Sequence, residues 1–146
     1  RSLCYLDSGA PNKYDVQQLL AFDHIVVHSG DVPNGPSSLH PSSSHRNGEL
    51  LVRRPLVSNG LMLMGAKGLL VREAESAGIT YYASDLTAAF LNSLTNEYVG
   101  HLRHRSEWAV KTFEGLGQRL FYNVFNTAFD RWTSEFQFSE LTIGGQ

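Results

Sequence analysis

The sequence predicts an α+β, mostly helical fold: a winged helix-turn-helix-like domain with a β-hairpin wing and a C-terminal helical extension. Three observations carry that expectation. Residues 50–64 place apolar side chains at helical spacing and run into Gly65-Ala66-Lys67-Gly68, which reads as a helix stop. Two short β-type runs follow, Leu69 to Ala74 and Ile79 to Ala83, and the Glu75-Ser76-Ala77-Gly78 between them has the length and composition of a hairpin connection. A further helix then starts at Ser84 or Asp85, so a helix feeds a hairpin and the hairpin feeds a helix. On this basis 1–95 forms the winged-helix-like domain, with a long loop at 29–48 and the wing at 69–83, and 96–146 forms a helical extension and tail.

Composition sets the outer limits. A chain of 146 residues with 42% hydrophobic and 18% charged side chains can build one real core. The formal charge of −2 lacks the basic excess of a typical nucleic-acid-binding domain, so any DNA contact has to be local. The single cysteine, Cys4, excludes an internal disulfide and fits a reducing compartment. No apolar run approaches the roughly 18 residues of a membrane span, and the N-terminus lacks a signal pattern, so the expected location is the cytoplasm.

Taken in order, residues 1–13 contain the turn-forming Asp7-Ser8-Gly9-Ala10-Pro11-Asn12, which should hand over to a helix near Tyr14-Asp15. From Val16 the apolar Val16, Leu19, Leu20, Val26 and Val27 fall on one side of a helix reaching about His28. Asp23 lies within that arc, where desolvation demands an Arg or a backbone amide beside it. It reads as a structural tether and not as a catalytic carboxylate, because no second acid is spaced to work with it.

Residues 29–48 hold three of the five prolines together with many Ser and Gly, so regular structure is not expected there. His24, His28, His40 and His45 invite a zinc reading, with the first two one helical turn apart. The region has neither a Cys nor a His-Glu-x-x-His pattern, and loop histidines more often bond backbone carbonyls or line an interface, so no metal is assigned.

On the central helix, Leu56, Val57, Gly60, Leu61, Leu63 and Met64 cover one broad arc, with Ser58, Asn59, Met62 and Ala66 opposite. Pro55 either starts this helix or kinks a longer one begun near Gly48. A DNA-reading version would present Ser58, Asn59 and Met62 to the groove and Arg53 and Arg54 to phosphates. Five basic residues against one acid between Arg46 and Arg72 leave room for a local basic patch. The wing argues the other way, since its tip carries Glu73 and Glu75 and only Arg72 is basic.

The helix after the wing uses Leu86, Ala89, Phe90 and Leu94. The next, from about Glu97, places Val99, Leu102, Ala109 and Phe113 inside and Arg103, Glu107 and Lys111 as a charge ladder outside. A last helix, about 118–135, carries an aromatic stripe of Phe121, Phe125, Phe129 and Trp132, more than a small winged core absorbs, and is a candidate partner-docking surface. No phosphate-binding glycine loop and no nucleophile elbow occurs; the Gly-rich stretch 60–68 belongs to a helix and its turn. No catalytic residue and no cofactor or small-molecule substrate is therefore assigned.

One resemblance adds to this reading. The run His28-Ser29-Gly30-Asp31, then Pro36-Ser37-Ser38-Leu39-His40-Pro41, then His45-Arg46-x-Gly48-Glu49-Leu50, followed by helix and hairpin, resembles the middle component of bacterial ABC-three-component systems over roughly residues 14–113. Lamassu-type antiphage defence systems belong to the same broad group. The resembling pattern often has a proline shortly before the second loop histidine, where this chain has Ser44, a departure bearing on loop stiffness. The resemblance implies a non-catalytic adaptor that sits on an SMC-like ABC ATPase and couples it to an effector, such as a nuclease, with DNA reached through the complex. It also implies that His28, Asp31, Leu39, His40, His45, Arg46 and Glu49 organise the loop or an interface. Two other expectations compete with it: a stand-alone winged-helix regulator dimerising through the last helix and binding DNA through Arg53, Arg54, Ser58 and Asn59, and an enzyme with a histidine metal site.

Overall fold

A computed structural model describes residues 1–32, 34–41 and 46–114, with the backbone alone over 46–51. The elements are α1 (Ser2–Ser8), α2 (Val16–Val27), a 3-10 turn (Ser29–Asp31), α3 (Arg46–Ala66), the antiparallel hairpin β1 (Leu70–Glu75) and β2 (Gly78–Ala83), α4 (Thr87–Ser93) and α5 (Glu97–Glu114). The described chain is α+β and mostly helical, as expected, and no described helix is long and apolar enough to cross a membrane.

Helix α2 is the centre. Asp15 caps it by accepting from the Gln18 amide while the Gln18 side chain accepts from the Asp15 amide, a reciprocal capping box. It packs against α1, α3, α5 and β2. The one-sided apolar pattern understates its burial, because Ala21 and Phe22 are buried along with Leu19, Leu20, Val26 and Val27. The Phe22 ring meets Tyr5 and Tyr14, each at 5.6 Å between centroids, and Phe113 edge-on at 6.2 Å. One apolar cluster thus runs from Leu3 to Phe113, across the boundary drawn at residue 95.

Several local expectations are corrected. Residues 2–8 are helical, so the turn begins at Gly9. Leu3, Cys4, Tyr5 and Leu6 are all buried, and four consecutive apolar residues give no 3.6-residue period to read. Helix α3 starts at Arg46 and runs through Pro55. Of its expected apolar arc only Val57 and Leu61 are buried; Leu56 and Leu63 are both 52% exposed. The reason is that α3 packs onto α2 and β1 from one side only.

The helix stop at Gly65–Gly68 is a Schellman motif: the Gly68 amide donates to the Gly65 carbonyl and the Leu69 amide to the Met64 carbonyl, with Gly68 at φ +73°. The hairpin is tighter than expected, with Glu75 paired to Gly78 across a two-residue loop, Ser76-Ala77. Its inner end is tied down twice. Tyr14 and Tyr81 exchange backbone hydrogen bonds at 2.9 and 2.8 Å, and the Thr87 hydroxyl donates to the Leu69 carbonyl at 2.7 Å. Ser84 precedes α4 and accepts from the Leu86 amide, so the helix proper begins at Thr87, two residues later than expected at the latest. On α5, Leu102, Ala109 and Phe113 are inside. Arg103 reaches Asp7 at 3.6 Å and the Asn92 side chain at 2.8 Å, so it braces α1 and α4.

Candidate functional site: a histidine-bearing loop braced on two helices

The loop after α2 is compact. His28 caps α2, its amide donating to the His24 carbonyl, and the Asp31 amide donates to the His28 carbonyl. At the far end the amides of Leu39 and His40 both donate to the Val27 carbonyl at 3.0 Å. The loop therefore leaves and rejoins the same turn of α2, the form of an Ω-loop. Its two limbs are cross-linked: the Ser29 hydroxyl donates to the Ser37 carbonyl at 3.0 Å, and the Gly30 amide donates to the Ser38 hydroxyl at 2.9 Å.

Helix α5 supplies the other support. Arg105 donates from Nε to the Ser37 carbonyl at 3.1 Å. A Cβ on Gly35 would lie 2.2 Å from the Ser29 carbonyl oxygen, 2.9 Å from that of Val32 and 3.1 Å from the Trp108 ring, so only glycine lets the limbs close over Trp108. His40 Nε2 and the Tyr98 hydroxyl are 2.6 Å apart, with the rings stacked at 11°.

These constraints bring the imidazoles into one row. His24 and His28, buried and one turn apart, lie 4.6 Å between ring centroids; His40 meets His28 edge-on at 6.2 Å. Asp31 closes on His24 at 3.9 Å. Among the described residues no three His, Cys, Asp or Glu side chains converge to hold a metal ion. What the row can do is order a surface: partly exposed His40 and exposed Tyr98 form its outer edge, and buried His24 and His28 its foundation.

One residue along α2, Asp23 is 2% exposed and bound from two sides. Arg53 donates from Nε to Oδ2 and from Nη2 to Oδ1, both at 2.9 Å, and Arg1 donates to Oδ2 at 3.2 Å. The expected arginine partner is thus present, and the carboxylate bond holds the Arg53 guanidinium further on its charged side than usual. Of the other candidate DNA-contacting residues, Arg54 and Asn59 are exposed and Ser58 is partly so.

Of the loop signature, His28, Asp31, Leu39 and His40 come together. His45 and the side chains of Arg46 and Glu49 lie outside the described residues, as do Phe121, Phe125, Phe129 and Trp132. Sequence reasoning missed Tyr98, Arg105 and Trp108. Their partners are 58 and 68 residues away in the case of Tyr98 and Arg105, and no local pattern marks such pairings.

The site residues and their supports fall inside the stretch that comparison with protein families singles out: residues 1–135 match the family described as ABC-three component (ABC-3C) system Middle Component 2. No curated protein and no solved structure matches the chain. With nearly its whole length matched, the chain belongs to the Middle Component 2 family of ABC-three component systems.

Proposed function

We propose that the chain is a non-catalytic adaptor subunit of an SMC-like ABC ATPase complex of the Lamassu antiphage type, linking the ATPase in the bacterial cytoplasm to an effector such as a nuclease. The observation that carries this reading is the loop. A functional loop on a rigid scaffold is the usual place for recognition, and here 28–40 is fixed to α2 at both ends and to α5 along its length. Its polar groups are spent on holding that shape, which suits a docking surface.

The winged-helix reading belongs with this proposal. Helix α3 feeds through Gly68 directly into the hairpin; with Lys13 bound to the two acids on β1, Glu73 and Glu75, at 2.9 and 3.1 Å and Arg72 beside them, this wing carries no net positive charge, which does not suit a phosphate backbone. DNA is reached through the complex, with Arg54 and Asn59 on the exposed side of α3 as the groups able to meet it.

The test is assembly of the tagged chain with the ATPase encoded beside it. Leu39→Ala with His40→Ala is expected to lower the thermal transition by several degrees while leaving a cooperatively folded chain, since Leu39 packs against the core and His40 bonds Tyr98, and to reduce co-elution of the ATPase at least tenfold. Unchanged co-elution by a folded double variant contradicts the loop's role.

A further inference from the structure

The outer edge of β1 is a strand edge that the described chain leaves unpaired. On β2, Tyr81 commits its amide and its carbonyl to Tyr14, so neither points toward β1. Its cross-strand partner Arg72 therefore also turns its N–H and C=O away from β2, and by the two-residue alternation of the ladder so does Ala74. Both residues are exposed, and no backbone group among the described residues meets theirs. The chemistry of such an edge fits one kind of occupant, another extended segment.

The side chains along the edge say which segment. Glu73 and Glu75 are bound by Lys13, whereas Arg72 forms no ion pair among the described residues. Ala74 is small and lies opposite Ile79, which is 39% exposed. An acid therefore belongs against Arg72, and a large apolar side chain against Ala74, where it also covers Ile79. The β1 strand of a second copy does not meet this demand. Antiparallel self-pairing centred on residue 72, 73 or 74 sets Arg72 against Arg72, Glu73 against Glu73, or Glu73 against Glu75, and like charges directly opposite repel.

We propose that the occupant is a segment of the same chain that lies outside the described residues, Gln137-Phe138-Ser139-Glu140-Leu141-Thr142, added antiparallel to β1 as a further strand of the hairpin sheet. In the register that sets Glu140 against Arg72, Phe138 falls against Ala74, Leu141 against half-buried Val71 and Ser139 against Glu73. Glu140 is the sole charged residue between 136 and 146, matched to the one cation of β1. A slip of one residue turns it to the other face, against Glu73 or Val71, so the pairing has one register that satisfies it.

The chain can reach this edge. Glu114, where the described residues end, accepts a hydrogen bond from the Tyr14 hydroxyl at 2.9 Å, and Tyr14 flanks β2. From Tyr14 to a strand beside β1 is three strand spacings, about 14 Å. The 22 residues from 115 to 136 cover that gap and the tyrosine side chain even at the ~1.5 Å per residue of a helix.

The experiment uses the full chain. The outward amides of Arg72 and Ala74 are expected to exchange with deuterium at least tenfold more slowly in wild type than in Glu140→Arg, and Arg72→Glu combined with Glu140→Arg is expected to restore the protection. Residues 73 and 139 form a close, non-hydrogen-bonded pair in this register, so Glu73→Cys with Ser139→Cys is expected to give an intramolecular disulfide on mild oxidation. Glu73→Cys with Glu140→Cys, on opposite faces, is expected not to; the native Cys4 is 4% exposed and contributes little background. Unprotected outward amides in wild type overturn the proposal. So does a disulfide that forms only between two chains, which gives the edge to a second copy's segment, and so does protection without a 73–139 link, which gives it to a different occupant.

Discussion

Asp23 and Arg53, thirty residues apart, form a two-pronged ion pair that joins the central helix to the helix before the hairpin, both hydrogen bonds at 2.9 Å. The carboxylate is almost wholly buried and the guanidinium side chain is one-third exposed. Removing Arg53 leaves the buried carboxylate with the single 3.2 Å bond from Arg1, too little to offset its desolvation, whereas replacing both Asp23 and Arg53 with apolar side chains removes that cost as well and leaves only Arg1, itself partly exposed, without its partner. Arg53→Ala is expected to destabilise by about 2–4 kcal/mol, discounted for the exposure of Arg53. The Asp23→Leu, Arg53→Met pair is expected to recover most of that loss, and urea denaturation of the four proteins of the cycle measures the coupling.

Gly35 is the tightest point of the histidine loop. An added methyl meets backbone oxygens on two sides, which cannot rotate away as a side chain can. Gly35→Ala is therefore expected to cost roughly 1–3 kcal/mol and to loosen the loop while α2 and α5 persist, visible as faster amide exchange at Gly30, Leu39 and His40.

The stacked pair at the loop's outer edge separates shape from hydrogen bonding. Tyr98→Phe keeps the ring over His40 and removes the 2.6 Å bond. The expected loss is about 1 kcal/mol, read by thermal denaturation, with a larger effect on ATPase co-elution than on folding if His40 is a contact residue.

The hairpin is held to Lys13, and the bridge has a pH window. The hydrogen bond from Lys13 holds the Glu73 carboxyl below its ordinary value of 4.5, and the bonds to Glu73 and Glu75 raise the Lys13 ammonium above its ordinary 10.5. A depressed carboxyl contributes stability that is present above its unfolded pKa and lost as pH falls through the folded one; a raised ammonium contributes stability that is present below its unfolded pKa and lost as pH rises through the folded one. The difference in Tm between wild type and Lys13→Ala is expected to be small but constant from about pH 6 to 9, to shrink below about pH 4 and to shrink again above about pH 11. A difference that persists at pH 3 contradicts the bridge.

The parts of this molecule that were legible in the sequence are those with a local cause. Gly65–Gly68 announces a helix end because a left-handed residue closes it, the two β runs announce a hairpin, and Asp23 within an apolar arc demands an Arg or a backbone amide, of which the structure supplies arginines. Helix α1 was not legible, because a short helix buried all round has no period. Leu56 and Leu63 read as core because periodicity reports which faces are apolar and not which are covered; only the placement of α3 at the edge of the body decides that. The site followed the same division. His28 and His40 could be picked from the loop, whereas Tyr98, Arg105 and Trp108, which give the loop its shape, act from a helix far along the chain.

The adaptor role is tested most directly by the mass of the assembly. The tagged chain, expressed with its neighbouring genes in the native host and purified at moderate salt, is predicted to elute with a large coiled-coil ABC ATPase at a fixed ratio, identified by peptide mass and by native mass spectrometry. A preparation containing only this chain, with the ATPase expressed but running separately, contradicts the account.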